Sequence, residues 1–193
     1  MAHEVTTSYV KDATDMFRYY KRLAERAIEQ CPDEGLFAAL DKESNSIAII
    51  VKHMAGNMRS RWMDFLTSDG EKPDRNRDTE FENAPKARAE LMEMWERGWQ
   101  YVFDAMTPLA DAELTKIVTI RGTPHSVMQA ITRQVAHYAH HIGQIVYLAK
   151  HFAVEKTGKF ESLSVPRGQS KAFTAKVLAG QQSEKWILDK GRS

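Results

Sequence analysis

The segment His137-Tyr138-Ala139-His140-His141-Ile142-Gly143-Gln144-Ile145 places three of the chain's seven histidines within five residues. Neutral imidazoles are common ligands for divalent transition metals. In an α-helix, residues four apart sit about 40° apart around the axis and about 6 Å apart along it. His137 and His141 therefore project side by side, at a spacing where two imidazoles share one ion. His140 is rotated about 60° from His137 in the other sense, so it does not easily join that pair. A third ligand must come from elsewhere. His53, in Ile50-Val51-Lys52-His53-Met54-Ala55-Gly56-Asn57-Met58, stands at the border of an apolar helical face. Three imidazoles with a fourth position open to water or substrate would make a catalytic rather than a structural zinc site. A lone histidine on an apolar face is more often a hydrogen-bonded core residue, and a histidine-rich face is often solvated. Spacing alone does not bring His53 to the pair.

Four long amphipathic patterns supply the elements that must position these residues. The first runs from about Ser8 to Gln30, where Tyr9, Ala13, Met16, Phe17, Tyr20, Leu23, Ala24 and Ala27 recur at spacings of three and four. Pro32 ends it, because a proline disfavours helical geometry in the residue before it. Asp33 to Leu40 reads as a short helical connection. The second helix is predicted from about Ser44 to Leu66, capped by Ser44 or Ser46, with Ile47, Ile50, Val51, Met54, Met58, Trp62 and Phe65 facing the core. A polar loop follows from Thr67 to Asp78, and loops of this length in a compact domain are often functional or mobile. The third helix is predicted from Pro85 to Met106, with Leu91, Trp95, Trp99, Val102, Phe103 and Met106 inward. A short turn is expected at Asp111 to Thr115. Ile117 to Ile120 is β-branched and runs into turn residues, which predicts an extended segment but no sheet. The fourth helix, from about Ser126 to Phe152, carries the histidines, and Val127, Ile131, Val135, Tyr138, Ile142, Ile145, Val146 and Ala149 mark its buried arc. Beyond it the tail reads as irregular, with a short helix at Ser170 to Ala179 capped by Ser170. Trp186, Ile187 and Leu188 either dock or fray. This pattern predicts an all-α fold, a four-helix bundle with short extra helical segments and an irregular C-terminal tail.

Composition narrows the function classes. With 193 residues one domain is expected, spanning residues 1–193 with its core in about 8–175. Lys plus Arg is 27 and Asp plus Glu is 26, a net charge of +1, so no global field draws the chain to nucleic acid or to a membrane. No basic patch with interleaved aromatics supports nucleic-acid binding. The single cysteine, Cys31, excludes an intrachain disulfide framework and a cysteine-rich zinc knuckle. The N-terminus lacks the basic start and apolar run of a signal peptide, and Ile47 to Val51 is far shorter than the ~20 residues that span a bilayer. A soluble, cytoplasmic protein is expected.

Residues around the histidines complete the reading. Asn57, one turn beyond His53, reaches either the open side of a metal site or a neighbouring helix. Gln134 and His140 are candidate residues for orienting a ligand or substrate. Arg59, Arg61, Arg133, Arg75, Arg77 and Arg121 are read as solvated, with anion binding as the alternative. Trp62, Trp95 and Trp99 lie at core spacing. Cys31 has no histidine near it in sequence and is a weak nucleophile candidate. No Gly-rich phosphate loop, serine elbow or paired catalytic carboxylates stand out.

The histidine pattern, His53 in the second helix and His137 to Ile145 in the fourth, resembles the DinB-like superfamily, which includes bacillithiol- and mycothiol-dependent S-transferases and is distinct from the DNA polymerase of similar name. Glu43-Ser44-Asn45-Ser46-Ile47, Asn57-Met58-Arg59-Ser60-Arg61-Trp62 and Ser68-Asp69-Gly70-Glu71-Lys72-Pro73 look like an uncharacterised subgroup of it. The resemblance covers roughly residues 8–175. It implies a four-helix bundle, a homodimer, and a divalent metal held by His53, His137 and His141, with Zn or Ni expected and Fe, Mn or Co as alternatives. In the transferase members it implies that the metal holds a low-molecular-weight thiol as thiolate, which attacks a small electrophilic substrate. The same ligands and open position also suit a metal-dependent hydrolase. A different class, a dimeric binding protein with a structural metal, fits them too.

Overall fold

The computed structural model describes residues 7–181. Trp186, Ile187 and Leu188 lie outside the described residues. Helix α1 (Tyr9–Gln30) starts at Ser8, whose hydroxyl accepts from the Lys11 N–H, and stops before Pro32. A single turn and a half, α2 (Asp33–Phe37), follows. Helix α3 (Ile47–Trp62) begins at Ser46, the second of the two predicted caps, whose hydroxyl accepts from Ile49 N. Helix α4 (Arg88–Met106) starts three residues later than Pro85. Helix α5 (Val127–Thr157) carries the histidine segment. Ser126 caps it in a reciprocal box with Gln129. It runs more than a turn past Phe152, because Ala153 still faces the core.

Two sequence expectations are corrected here. Ile117–Ile120 is not an isolated extended segment. It forms strand β1 and pairs antiparallel with β2 (Thr123–Ser126), Ile117 opposite Ser126 and Ile120 opposite Thr123. The two-residue turn between them, Arg121 and Gly122, has φ of 55° and 73°. Positive φ at both central residues is the turn that matches strand twist, and glycine takes it without strain. The second correction concerns α6 (Ser170–Leu178), where Ser170 is the first helical residue and Gln169 stands at the cap without a side-chain bond.

The fold is mostly helical, with this hairpin as its small sheet. Helix α1 packs against α5 and α4, and α3 packs against α4 and α5. Each of the four contributes one ring to a central aromatic cluster. Phe17 of α1 lies 5.5 Å from Trp62 of α3 and 5.6 Å from Tyr138 of α5, and Trp99 of α4 lies 5.7 Å from Tyr138. Trp62, Trp95 and Trp99 are all core residues, as their spacing predicts. Aromatic pairs at such distances add about 0.5–1.5 kcal/mol each beyond their burial. Helices α3 and α5 run in opposite directions, since His53 meets His141 while Trp62, nine residues on, meets Tyr138.

Candidate metal centre

The antiparallel crossing of α3 and α5 brings three imidazoles together. His53 is buried, and His137 and His141 are half-buried. One ring nitrogen from each lies within 4.8 Å of the other two. The Nε2 atoms of His137 and His141 are 3.0 Å apart, as their four-residue spacing implies. His53 sits 5.5 Å from His137 and 5.0 Å from His141, ring centre to ring centre. His140 is exposed, its ring 5.2 Å from that of His141 and outside the triad.

The outer ring nitrogens of His53 and His141 have partners. His53 Nδ1 lies 2.9 Å from Glu80 Oε2 and His141 Nδ1 lies 2.8 Å from Gln144 Oε1. Both partners are acceptors, so Nδ1 carries a proton, and in a neutral ring Nε2 then keeps its lone pair. With His141 Nε2 an acceptor, His137 Nε2 must donate to it. His137 is neutral at physiological pH: burial, reinforced by His141 and His53, pushes its pKa down to about 3. Burial lowers the pKa of His141 as well. This donor set fits a divalent ion. It offers three imidazoles, and two of them are oriented from behind by an acceptor, as metal-bound histidines generally are.

Glu80 and Gln144 are the orienting residues that sequence reasoning missed. Gln144 had a readable signal, because it stands three residues after His141 on one helix. Glu80 had none. It lies 27 residues from its partner, in a 3-10 turn (Asp78–Phe81) at the end of the long loop. That turn is pinned by Lys52, whose ammonium donates to the carbonyls of Thr79 and Glu82, each at 2.7 Å. Phe81 of the same turn stacks on His53 at 4.7 Å, and the Arg77 guanidinium lies 5.0 Å from the Phe81 ring centre. Gly56 leaves the space Glu80 occupies, since a Cβ there would meet Glu80 Oε1 at 2.3 Å.

Behind Glu80 stands a chain of alternating charges. Arg75 grips both Glu80 oxygens, Nε to Oε1 at 2.8 Å and Nη2 to Oε2 at 2.9 Å. Such forked pairs are among the strongest charge-assisted bonds. Glu71 faces Arg75, Arg61 and Arg121, and Arg61 also donates to the Gly70 carbonyl. Burial opposes ionisation of Glu80, yet the bonds from His53 and Arg75 outweigh it and hold its carboxyl below the usual range. The expectation that Arg61 and Arg75 are solvated is therefore wrong: their side chains are 7% and 3% exposed. Carboxylates from the loop compensate their burial, and periodicity along a helix does not register such partners.

Of the other residues singled out, Asn57 belongs to the helix–helix contact. Tyr138 donates its hydroxyl to Asn57 Oδ1 at 3.2 Å and accepts from Trp62 Nε1 at 2.8 Å. Gln134 is buried beside Arg61 and Trp62 at a small cavity, and its Oε1 has no partner among the described residues. It bonds none of the three histidines. Cys31 is buried, and burial pushes its thiol up to about 11, which leaves it unreactive at neutral pH.

The profile of a family described as a protein of unknown function (DUF1572) matches residues 4–169. The chain belongs to this family. The match spans α1 to α5 and so includes all three histidines, Glu80 and Gln144. No curated protein and no solved structure matches the chain.

Proposed function

We propose that this DUF1572 protein is a divalent-metal-binding member of the DinB-like superfamily, built on that superfamily's four-helix bundle, and that it acts as a thiol S-transferase-like enzyme. His53, His137 and His141 are the proposed ligands, with Zn or Ni as the ion. The observation that carries this reading is the convergence of three imidazoles, two with Nδ1 already committed to an acceptor. A divalent ion held there lowers the pKa of a small thiol bound beside it and so supplies a thiolate at neutral pH.

The chain's own residues do the rest. Glu80 holds His53 with Nε2 toward the centre, and Gln144 does the same for His141. His137 moves its proton from Nε2 to Nδ1 when it becomes a ligand, because Nε2 otherwise donates to His141. Phe81 covers one face of His53 and excludes water from that side. A homodimer is part of the same reading, and the exposed Met128, Tyr147 and Val154 on α5 supply apolar surface for it.

Metal analysis of the purified protein tests the proposal. About one equivalent per chain is expected, lost in His53→Ala and His141→Ala while helical content is retained. Full occupancy in both variants overturns the three-histidine site. Thiol consumption against a generic electrophile such as 1-chloro-2,4-dinitrobenzene, abolished by chelation and restored by the ion, supports transfer. Turnover of ester substrates without any thiol would instead support hydrolysis.

A further inference from the structure

A cleft lies on the other side of α5 from the histidines. Lys150 is nine residues beyond His141, a rotation of about 180° around the helix. There α5 and residues 160–167 enclose a cleft of about 580 Å³. Its walls are apolar at Val146, Phe160 and Leu163, and Lys150 and Arg167 are the charged groups that line it. Among the described residues neither cation has a carboxylate partner. The surroundings reinforce the sign: residues 150–181 hold six Lys or Arg against two Glu, although the whole chain is nearly neutral.

The cleft is held open by α1. Glu161 N donates to Gln30 Oε1 at 2.6 Å, Gln30 Nε2 returns a bond to the Glu161 carbonyl at 3.3 Å, and Arg26 Nη1 donates to the Leu163 carbonyl at 3.2 Å. Leu163 is 7% exposed, seated on the core beneath the cleft. A preformed concavity of roughly 300–1,000 Å³, apolar with a few placed polar groups, is the usual form of a small-molecule site. Two unpaired cations beside an apolar floor select a molecule with an anionic head and a hydrocarbon body. We infer that this cleft binds a small organic anion with an apolar chain, such as an aliphatic carboxylate. The inference stands independently of the histidine centre.

Isothermal titration of the full-length, EDTA-treated protein with octanoate tests it. Saturable binding near one to one is expected, weakened by about tenfold or more in Lys150→Glu/Arg167→Glu. Both positions are exposed, so circular dichroism of that variant should match the parent. Octylammonium, with the same chain and the opposite charge, is expected not to bind, and inorganic phosphate to bind more weakly than octanoate. His141→Ala is expected to bind octanoate as the parent does. Unchanged affinity in the charge-reversed variant, equal binding of octylammonium or phosphate, loss of binding in His141→Ala, or no octanoate binding at millimolar concentration would each overturn the inference.

Discussion

Glu80 is the residue on which the order of the histidine centre depends most. It accepts from His53 and from Arg75, and Gly56 gives it room. Glu80→Gln keeps the shape and removes the charge. The expected result is a folded protein whose metal affinity, measured by competition with a chelating dye, falls about 10–100-fold. Gly56→Ala should do the same by displacing the carboxylate. Wild-type affinity in both variants would show that the orientation of His53 is set by something else. His137 gives a pH signature in the metal-free protein. Its folded pKa is depressed to about 3, whereas an unfolded histidine titrates near 6.5. Between those values the unfolded chain binds the extra proton, so stability falls as pH drops through that window. Urea midpoints of the apo protein should decline below about pH 6.5, and His137→Gln should flatten that decline.

At the scale of elements, the joint between α3 and α5 decides whether the histidines meet. Trp62, Tyr138 and Asn57 form a buried hydrogen-bonded chain across it, which starts beside the centre at Tyr138, the neighbour of His137. Burial holds the Tyr138 hydroxyl protonated, with its pKa raised, so it donates to Asn57 while accepting from Trp62. Tyr138→Phe leaves a buried donor and a buried acceptor without partners. That should cost about 2 kcal/mol in urea unfolding, a larger loss than the methyl-scale volume change would cause. A cost near zero would mean that water replaces the hydroxyl. The loop between α3 and α4 is the other decisive element. Its length and polar composition mark it as functional or mobile, and in the fold Lys52 fastens it through backbone carbonyls so that it delivers Glu80 and Phe81 to His53.

For the whole molecule, four long helices share one aromatic centre, and no described helix is long and apolar enough to cross a membrane. The proposed dimer predicts a light-scattering mass of twice the chain at micromolar concentration, reduced to one chain mass by a charge at Tyr147, which is 67% exposed on α5. A monomer at every concentration would remove the dimer from the reading. Metal binding should also appear as global stability, because a ligand bound to the folded state alone at 100 times its Kd adds about 2.7 kcal/mol. Thermal melting with and without chelator measures this.

The sequence by itself determined the helical class, because its four apolar stripes recur at the period of a helix. For the second helix it offered two caps, Ser44 and Ser46, and the structure selects Ser46; Ser8 and Ser126, at the starts of their helical patterns, are caps as well, because a hydroxyl ahead of an apolar periodic run accepts from the first-turn N–H groups. The pairing of His137 with His141 and the separation of His140 followed from a rotation per residue that needs no tertiary information. Only the tertiary structure decided that His53 reaches that pair, since the crossing of α3 and α5 depends on core packing between residues far apart in sequence. It also decided the pairing of β1 with β2, through a turn that needs positive φ at Arg121 as well as at Gly122. Above all it decided the place of Glu80. A carboxylate carried on a loop has no period to betray it. Its burial follows from Arg75, Lys52 and the missing side chain at Gly56, which act together only once the chain has folded.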